Sequence, residues 1–184
     1  MAHALGEEGA RLVITARNVA ELETGAAELR AAGTEVTPMV ADLGDEDVVI
    51  DLAARTITKP SYINILVNNA GATWGAPAED YAMAGWDKVM TLNVRNLLLL
   101  TREVGRLSMI PRHYGRIINI ASNASIGGNQ DLMLAVGYNT SKGAVVTFTR
   151  ALAAERGIHG ITVNAIDQGY FPQQDVQGSE GIAW

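Results

Sequence analysis

The chain has 184 residues, 48% of them hydrophobic and 18% charged, with a formal net charge of −6. That length suits one domain with a sizeable core, and the composition is ordinary for a globular protein. An acidic balance without a basic stretch argues against nucleic acid or an anionic membrane as partner. The absence of cysteine excludes disulfides and thiolate metal sites.

The three histidines, His3, His113 and His159, are scattered and form no ligand pair, so no metal is expected. Glu7 and Glu8 fall where a signal peptide would continue its apolar core. Apolar runs such as Leu97 to Leu100 are far too short for a bilayer. A cytoplasmic protein is the expectation.

In chain order the pattern alternates helix and strand. Ala2 to Gly9 reads as a helix end closed by glycine. Leu12 to Thr15 is a short apolar, β-branched strand. Val19 to Ala32 has helical apolar spacing, with Gly33 as its stop. Glu35 to Val40 reads as a strand. Asp45 to Ile57 reads as a helix whose opening acids suit its N-terminus. Ile63 to Asn68 is a nearly continuous apolar strand, the pattern of a sheet covered on both faces.

Ala84 to Ile110 predicts a short helix and then a long one. Arg116 to Ala121 is a buried-type strand, Val136 to Gly157 a long helix, and Ile161 to Ile166 the last strand. This alternation predicts one α/β domain over 1–184, a doubly wound parallel sheet.

Chemistry concentrates late in the chain. Tyr138 and Lys142 are four residues apart, on one face of a predicted helix. A lysine ammonium beside a phenol favours the phenolate. Moving a tyrosine pKa from about 10 to about 7 takes roughly 4 kcal/mol. Ser122 directly follows a strand, at the end of the sheet where ligands bind in such folds. Ser125 is its rival, closer in sequence to Tyr138.

Tyr138-Asn139-Thr140-Ser141-Lys142, Asn68-Asn69-Ala70-Gly71, Asn93, Ser122 and Val163-Asn164-Ala165, in this order, resemble the short-chain dehydrogenase/reductase family. The resemblance runs from Ala4 to about Gly169. It implies an NAD(P)-dependent oxidoreductase that moves a hydride between a nicotinamide and a carbonyl or alcohol carbon. Tyr138 would be the general acid in reduction. Lys142 would lower the tyrosine pKa and hold the nicotinamide ribose. Ser122 would bind the substrate oxygen, and Asn93 would help hold a water that links Lys142 to solvent.

Asn69, Ala70 and Gly71 would let the cofactor's adenine ribose approach the backbone. Asp42 and Leu43 would meet the adenine; for Asp42 a helix N-cap is the alternative. Gly169 would lie at the nicotinamide end, beside Asp167 and Gln168, which depart from the family's Asn-x-x-x-Pro-Gly. Asn164 reads as structural. Ala16 stands where an NAD-selecting acid usually sits, and Arg17 can meet a 2′-phosphate, so NADP is expected rather than NAD. The loop residues Asp131 to Leu134 would lie near the substrate.

Within the family, the Tyr138 to Ala144 stretch and the loop before it are similar to gluconate 5-dehydrogenase-like members, with 3-oxoacyl-carrier-protein reductases as runner-up. The long helices imply a homo-oligomer acting on a small molecule.

The ends depart from the family. No glycine-rich turn between a strand and a helix precedes Leu12, and little follows the strand ending at Ile166. The resemblance therefore implies a fragment lacking the first strand, its turn, a lid and a last strand. The remaining strands would split into a pair and a triplet, each with an unpaired backbone edge; either the strands shift and pair across the gap, or a partner fills it, or the isolated chain is poorly stable. The alternative to an enzyme is an inactive chain that only folds or associates. By itself it is expected to bind NADPH poorly and turn over negligibly.

Overall fold

The computed structural model describes residues 1–58, 62–127 and 134–169. The elements are α1 (Ala2–Glu7), β1 (Leu12–Ala16), α2 (Val19–Ala31), β2 (Val36–Val40), α3 (Glu46–Thr56), β3 (Ile65–Asn68), α4 (Met83–Met90), α5 (Asn96–Val104), α6 (Ile110–Arg112), β4 (Gly115–Ile120), α7 (Val136–Arg156) and β5 (Ile161–Ile166). All strand pairing is parallel. β1 pairs with β2, and β3, β4 and β5 form a triplet in that order. The pair and the triplet stay separate, so β1 does not shift to pair with β3.

Local chemistry explains the boundaries. Asn18 caps α2 by accepting from the Ala20 and Glu21 amides at 3.0 and 3.3 Å, satisfying donors that the first turn leaves free. Gly33 closes α2 at φ 83°, a conformation open to glycine. Asp45 caps α3. The alternative reading of Asp42 as that cap is therefore corrected: its carboxylate accepts from the Gly44 amide at 2.9 Å and shapes the turn before the cap. Pro38 fits β2 because β2 is an edge strand. Glu35 and Ala41 bond β1, so by alternation the Pro38 nitrogen faces outward, where no N–H is needed.

The expected short-then-long helix pair is instead one continuous helical run, Met83 to Arg112. Two π-helical stretches, Thr91–Arg95 and Gly105–Met109, sit inside it. Each widens a turn without ending the helix.

The main core joins Leu66, Ile117, Ile161 and Val163 of the triplet to Ala53, Val104, Met109 and Leu152 of the helices. A smaller core holds Ala26, Leu29 and Val36 under Leu12, Ile14 and Ala2. α3 ties the halves together. Glu46 forms an ion pair with Arg95 at 2.6 Å. Just before α3, the Leu43 carbonyl accepts from Asn96 Nδ2 at 2.7 Å. Among the described residues, no helix is long and apolar enough to cross a membrane, and no cluster of three or more His, Cys, Asp or Glu side chains could hold a metal ion.

Candidate active site

The site gathers where β3 and β4 end and α7 begins. Four buried polar side chains support it from below. Asn68 donates to Asn119 Oδ1 at 2.8 Å and to Thr101 at 2.9 Å, and Asn119 donates to Thr149 at 2.9 Å. This chain of hydrogen bonds fixes β3 and β4 against α5 and α7, and full satisfaction is what makes it tolerable in the core. Asn68 entered the sequence reading only as part of the Asn68-Asn69-Ala70-Gly71 stretch, and Thr101, Asn119 and Thr149 were not singled out there.

Asn93 lies in the first π-helical stretch and is 2% exposed. Its Oδ1 accepts from the Ala72 amide at 2.7 Å, and its Nδ2 donates to the Ala72 carbonyl and to Ser141 Oγ, each at 2.9 Å. Ser141 in turn donates to the Tyr138 carbonyl at 2.7 Å. Asn93 is thus a strut between the loop after β3 and the first turns of α7. Both amide hydrogens are used, so the implied water-holding role would fall to its remaining acceptor groups. Ser141 is a second residue the sequence reading passed over.

Ser122 and Tyr138 are both buried, and their side chains hydrogen-bond. Ser122 Oγ also accepts from the Ala124 amide at 3.2 Å. Ser122, at the end of β4, is therefore the serine that meets the tyrosine. Lys142, 6% exposed, donates to the Ile120 carbonyl at 2.6 Å. Its ammonium lies 5.4 Å from the Tyr138 ring centroid.

The expected depression of the Tyr138 pKa by Lys142 is corrected. Burial raises the phenol above its ordinary value, and the Ser122 hydrogen bond opposes this only in part. The lysine carries the larger shift: burial lowers it to about 8. Desolvation disfavours the charged form of each group, phenolate and ammonium alike.

Small residues keep this centre open. A Cβ on Gly71 would lie 3.5 Å from Asn93 Oδ1 and 3.9 Å from Lys142 Nζ. A Cβ on Gly137 would collide with the Tyr81 hydroxyl, which donates to the Trp74 carbonyl at 3.1 Å. Trp74 and Tyr81 therefore form a wall beside the first turn of α7, another feature the sequence did not signal. The Ala76 amide pins this wall to Leu134 at 2.8 Å. Asp131, Leu132 and Met133 lie outside the described residues.

The remaining positions spread along the C-terminal ends of the strands. Asn69 and Ala70 are exposed after β3, Arg17 is exposed after β1, and Asp42 is exposed after β2. Asp167, Gln168 and Gly169 are exposed after β5, and the Gln168 carbonyl accepts from the Asn123 amide at 3.1 Å. Asn164 is exposed on β5, away from the centre.

These residues fit the two ends of a nicotinamide dinucleotide. Lys142 has three N–H donors, and its bond to Ile120 uses one. The remaining two would suit ribose hydroxyls, and Gly71 adds no side chain beside the ammonium. Between the ends, the described residues supply no glycine-rich turn at a helix N-terminus for the diphosphate. The α2 N-terminus is already capped by Asn18.

The short chain dehydrogenase family model matches residues 1–180. The chain belongs to this family. The gluconate 5-dehydrogenase of Gluconobacter oxydans (strain 621H) is 34% identical over 171 residues, which cover 93% of this chain and 65% of the relative. Among solved structures, an NAD+-bound xylitol dehydrogenase matches with a TM-score of 0.87 at 34% identity, covering 94% of this chain and 65% of that one. A gluconate 5-dehydrogenase from Burkholderia cenocepacia J2315, in complex with NADP and tartrate, matches with a TM-score of 0.85 at 31% identity, covering 94% and 66%. The chain thus spans just under two thirds of the length of these relatives. They include both an NAD-bound and an NADP-bound enzyme.

Proposed function

We propose that this chain carries the proton-transfer and nicotinamide-facing part of an NADP-linked oxidoreductase that interconverts a carbonyl and an alcohol on a small molecule. The observation that supports this reading is the Ser122–Tyr138 hydrogen bond beside a buried Lys142 at the ends of β3 and β4. In reduction, the Tyr138 hydroxyl gives its proton to the substrate oxygen; in oxidation it takes one. Because burial keeps the phenol protonated at neutral pH, the proton donor is the resting form. Ser122 hydrogen-bonds the same oxygen and stabilises the charge that develops there.

Lys142, at about 8, holds its proton at neutral pH yet releases it readily, so it can reprotonate the tyrosine through bound hydroxyls. When bound, the nicotinamide supplies or accepts the hydride. At the far end, Arg17 attracts a 2′-phosphate, and Ala16 presents no carboxylate to repel it. Gluconate-type hydroxy acids are the proposed substrate class, following the relatives. Association through the long helices fits the exposure of Leu98 and Leu107, and the cytoplasm is the proposed setting.

Among the described residues no glycine-rich turn cradles the diphosphate. Each charge-assisted hydrogen bond is worth roughly 1.5–3 kcal/mol, so the absence of two or three weakens binding by several orders of magnitude. Calorimetric titration of the 184-residue chain with NADPH is expected to show no micromolar binding; a micromolar Kd would overturn this point. The oxidoreductase reading itself is tested on a version extended to the length of the relatives, by NADPH oxidation against a panel of ketones and oxo acids. No turnover with any of them would overturn it.

A further inference from the structure

Ser122 and Tyr138 meet from different elements, so their hydrogen bond depends on how the residues after β4 lie against α7. The end of β4 holds the Ser122 backbone, where the Ala121 amide donates to the Ile166 carbonyl at 2.9 Å. The direction of the hydroxyl is set further on. Oγ accepts from the Ala124 amide at 3.2 Å and donates to Asn123 Oδ1 at 3.3 Å. Both partners belong to one short 3-10 turn, Asn123–Ser125, which the Ser125 amide closes onto the Ser122 carbonyl at 2.9 Å. When this turn moves, the serine hydroxyl moves with it.

Packing does not hold the turn in place. None of its residues is buried, and Ile126, which follows it, is 82% exposed. An apolar side chain left in water contributes no burial to anchor the segment. The ties are polar. At the start of the turn, the Asn123 amide donates to the Gln168 carbonyl at 3.1 Å. Past its end, Asn139 Nδ2 donates to the Gly127 carbonyl at 2.9 Å.

Of these two bonds, the second joins the turn to the helix that carries the tyrosine. Asn139 is half-buried and directly follows Tyr138, so it rides on the same helical turn as the phenol. Gly143 lies one turn further along the same face, and a Cβ there would stand 3.8 Å from the Ser125 carbonyl. The segment thus rests on positions 139 and 143 of α7, with a donor at one and a close approach at the other. The donor has to be a short side chain carrying an N–H, which asparagine supplies and serine or alanine does not.

We propose that Asn139 is a positioning residue for Ser122: its amide clamps the turn after β4 to α7 and so keeps the serine hydroxyl against the Tyr138 phenol. Its catalytic consequence rests on the proposed oxidoreductase reading; the clamp itself does not. Asn139 acts through Ser122 and not on the substrate.

The test substitution is Asn139→Ala, which removes the donor, adds no charge and suits a helix. In the 184-residue chain, amide exchange at Ala124 and Ser125 is expected to speed up at least about fivefold, while exchange at Ile118 of β4 and Val145 of α7 changes less than about twofold. In a version extended to the length of the relatives, kcat is expected to fall about three- to tenfold, the size that loss of one exposed hydrogen bond supports. In a Ser122→Ala background the same substitution is expected to change kcat less than about twofold, because its effect passes through the missing hydroxyl. Asn139→Gln, which keeps the donor, should recover part of the loss.

Unchanged exchange at Ala124 and Ser125 would overturn the proposal. So would an equal fall in kcat with and without Ser122, which would mean a general loosening of α7, or a fall of less than about twofold when Ser122 is present. An extended parent with no turnover would count against the proposed function instead, and the exchange readout, which involves no turnover, would still decide the clamp.

Discussion

Replacing Lys142 by methionine separates stability from function at this site. The substitution keeps the buried stem and removes the ammonium. Lys142 titrates at about 8 in the folded chain, against 10.5 for the free side chain. A group with a lowered folded pKa of this kind costs stability wherever it is charged in both states, that is, below about pH 8. The cost fades as pH rises from 8 to 10.5, because the folded protein sheds the proton first. The full difference corresponds to about 3 kcal/mol.

The variant also loses the donor to the Ile120 carbonyl, a cost of roughly 1 kcal/mol at any pH. Lys142→Met is therefore expected to be more stable than the parent by about 2 kcal/mol at pH 7. That advantage should shrink by roughly 2.5 kcal/mol by pH 10. Urea denaturation at a series of pH values reads this directly. A gap between the two proteins that stays constant across that range would refute the reasoning, because the offset from the lost hydrogen bond cannot generate a pH dependence.

In a version extended to the length of the relatives, Ser122→Ala is expected to lower kcat about 100-fold, as loss of one donor to a developing oxyanion does. Ser125→Ala should change it less than threefold, and the reverse ranking in steady-state assays would move the role to Ser125. Ala16→Asp is expected to shift the ratio of kcat/KM for NADPH over NADH at least tenfold toward NADH. A parent protein that already prefers NADH would show the reading of Ala16 and Arg17 to be wrong.

Much of this was legible in the chain because the signals are local. Apolar runs and capping residues located every strand and all the longer helices to within a few residues. Tyr138 and Lys142 announced themselves by helical spacing, and Ser122 by its place at a strand end. What stayed hidden depends on contacts distant in sequence. Asn68, Thr101, Asn119 and Thr149 look like ordinary polar interruptions until β3, β4, α5 and α7 bring them together. Ser141 sits inside the motif, yet its role appears only when Asn93 reaches it from 48 positions away.

The Tyr138 pKa is the clearest case of a local rule overridden. Spacing alone brings a cation near a phenol, but burial of both groups disfavours each charge more than their proximity favours the pair. The alternative reading of Asp42 as a cap failed for a simpler reason: Asp45 is also an acid before the same helix, and only backbone geometry distinguishes them.

The central claim is that Tyr138 is the proton donor at a nicotinamide-dependent centre. Its most direct test is Tyr138→Phe in the extended protein, with turnover measured by NADPH oxidation and cofactor affinity by calorimetry on the same preparation. The account predicts that kcat falls by at least about three orders of magnitude while the NADPH Kd changes less than threefold, because the phenyl ring preserves the packing and only the proton is lost. Turnover within tenfold of the parent would contradict it and place the proton donor elsewhere.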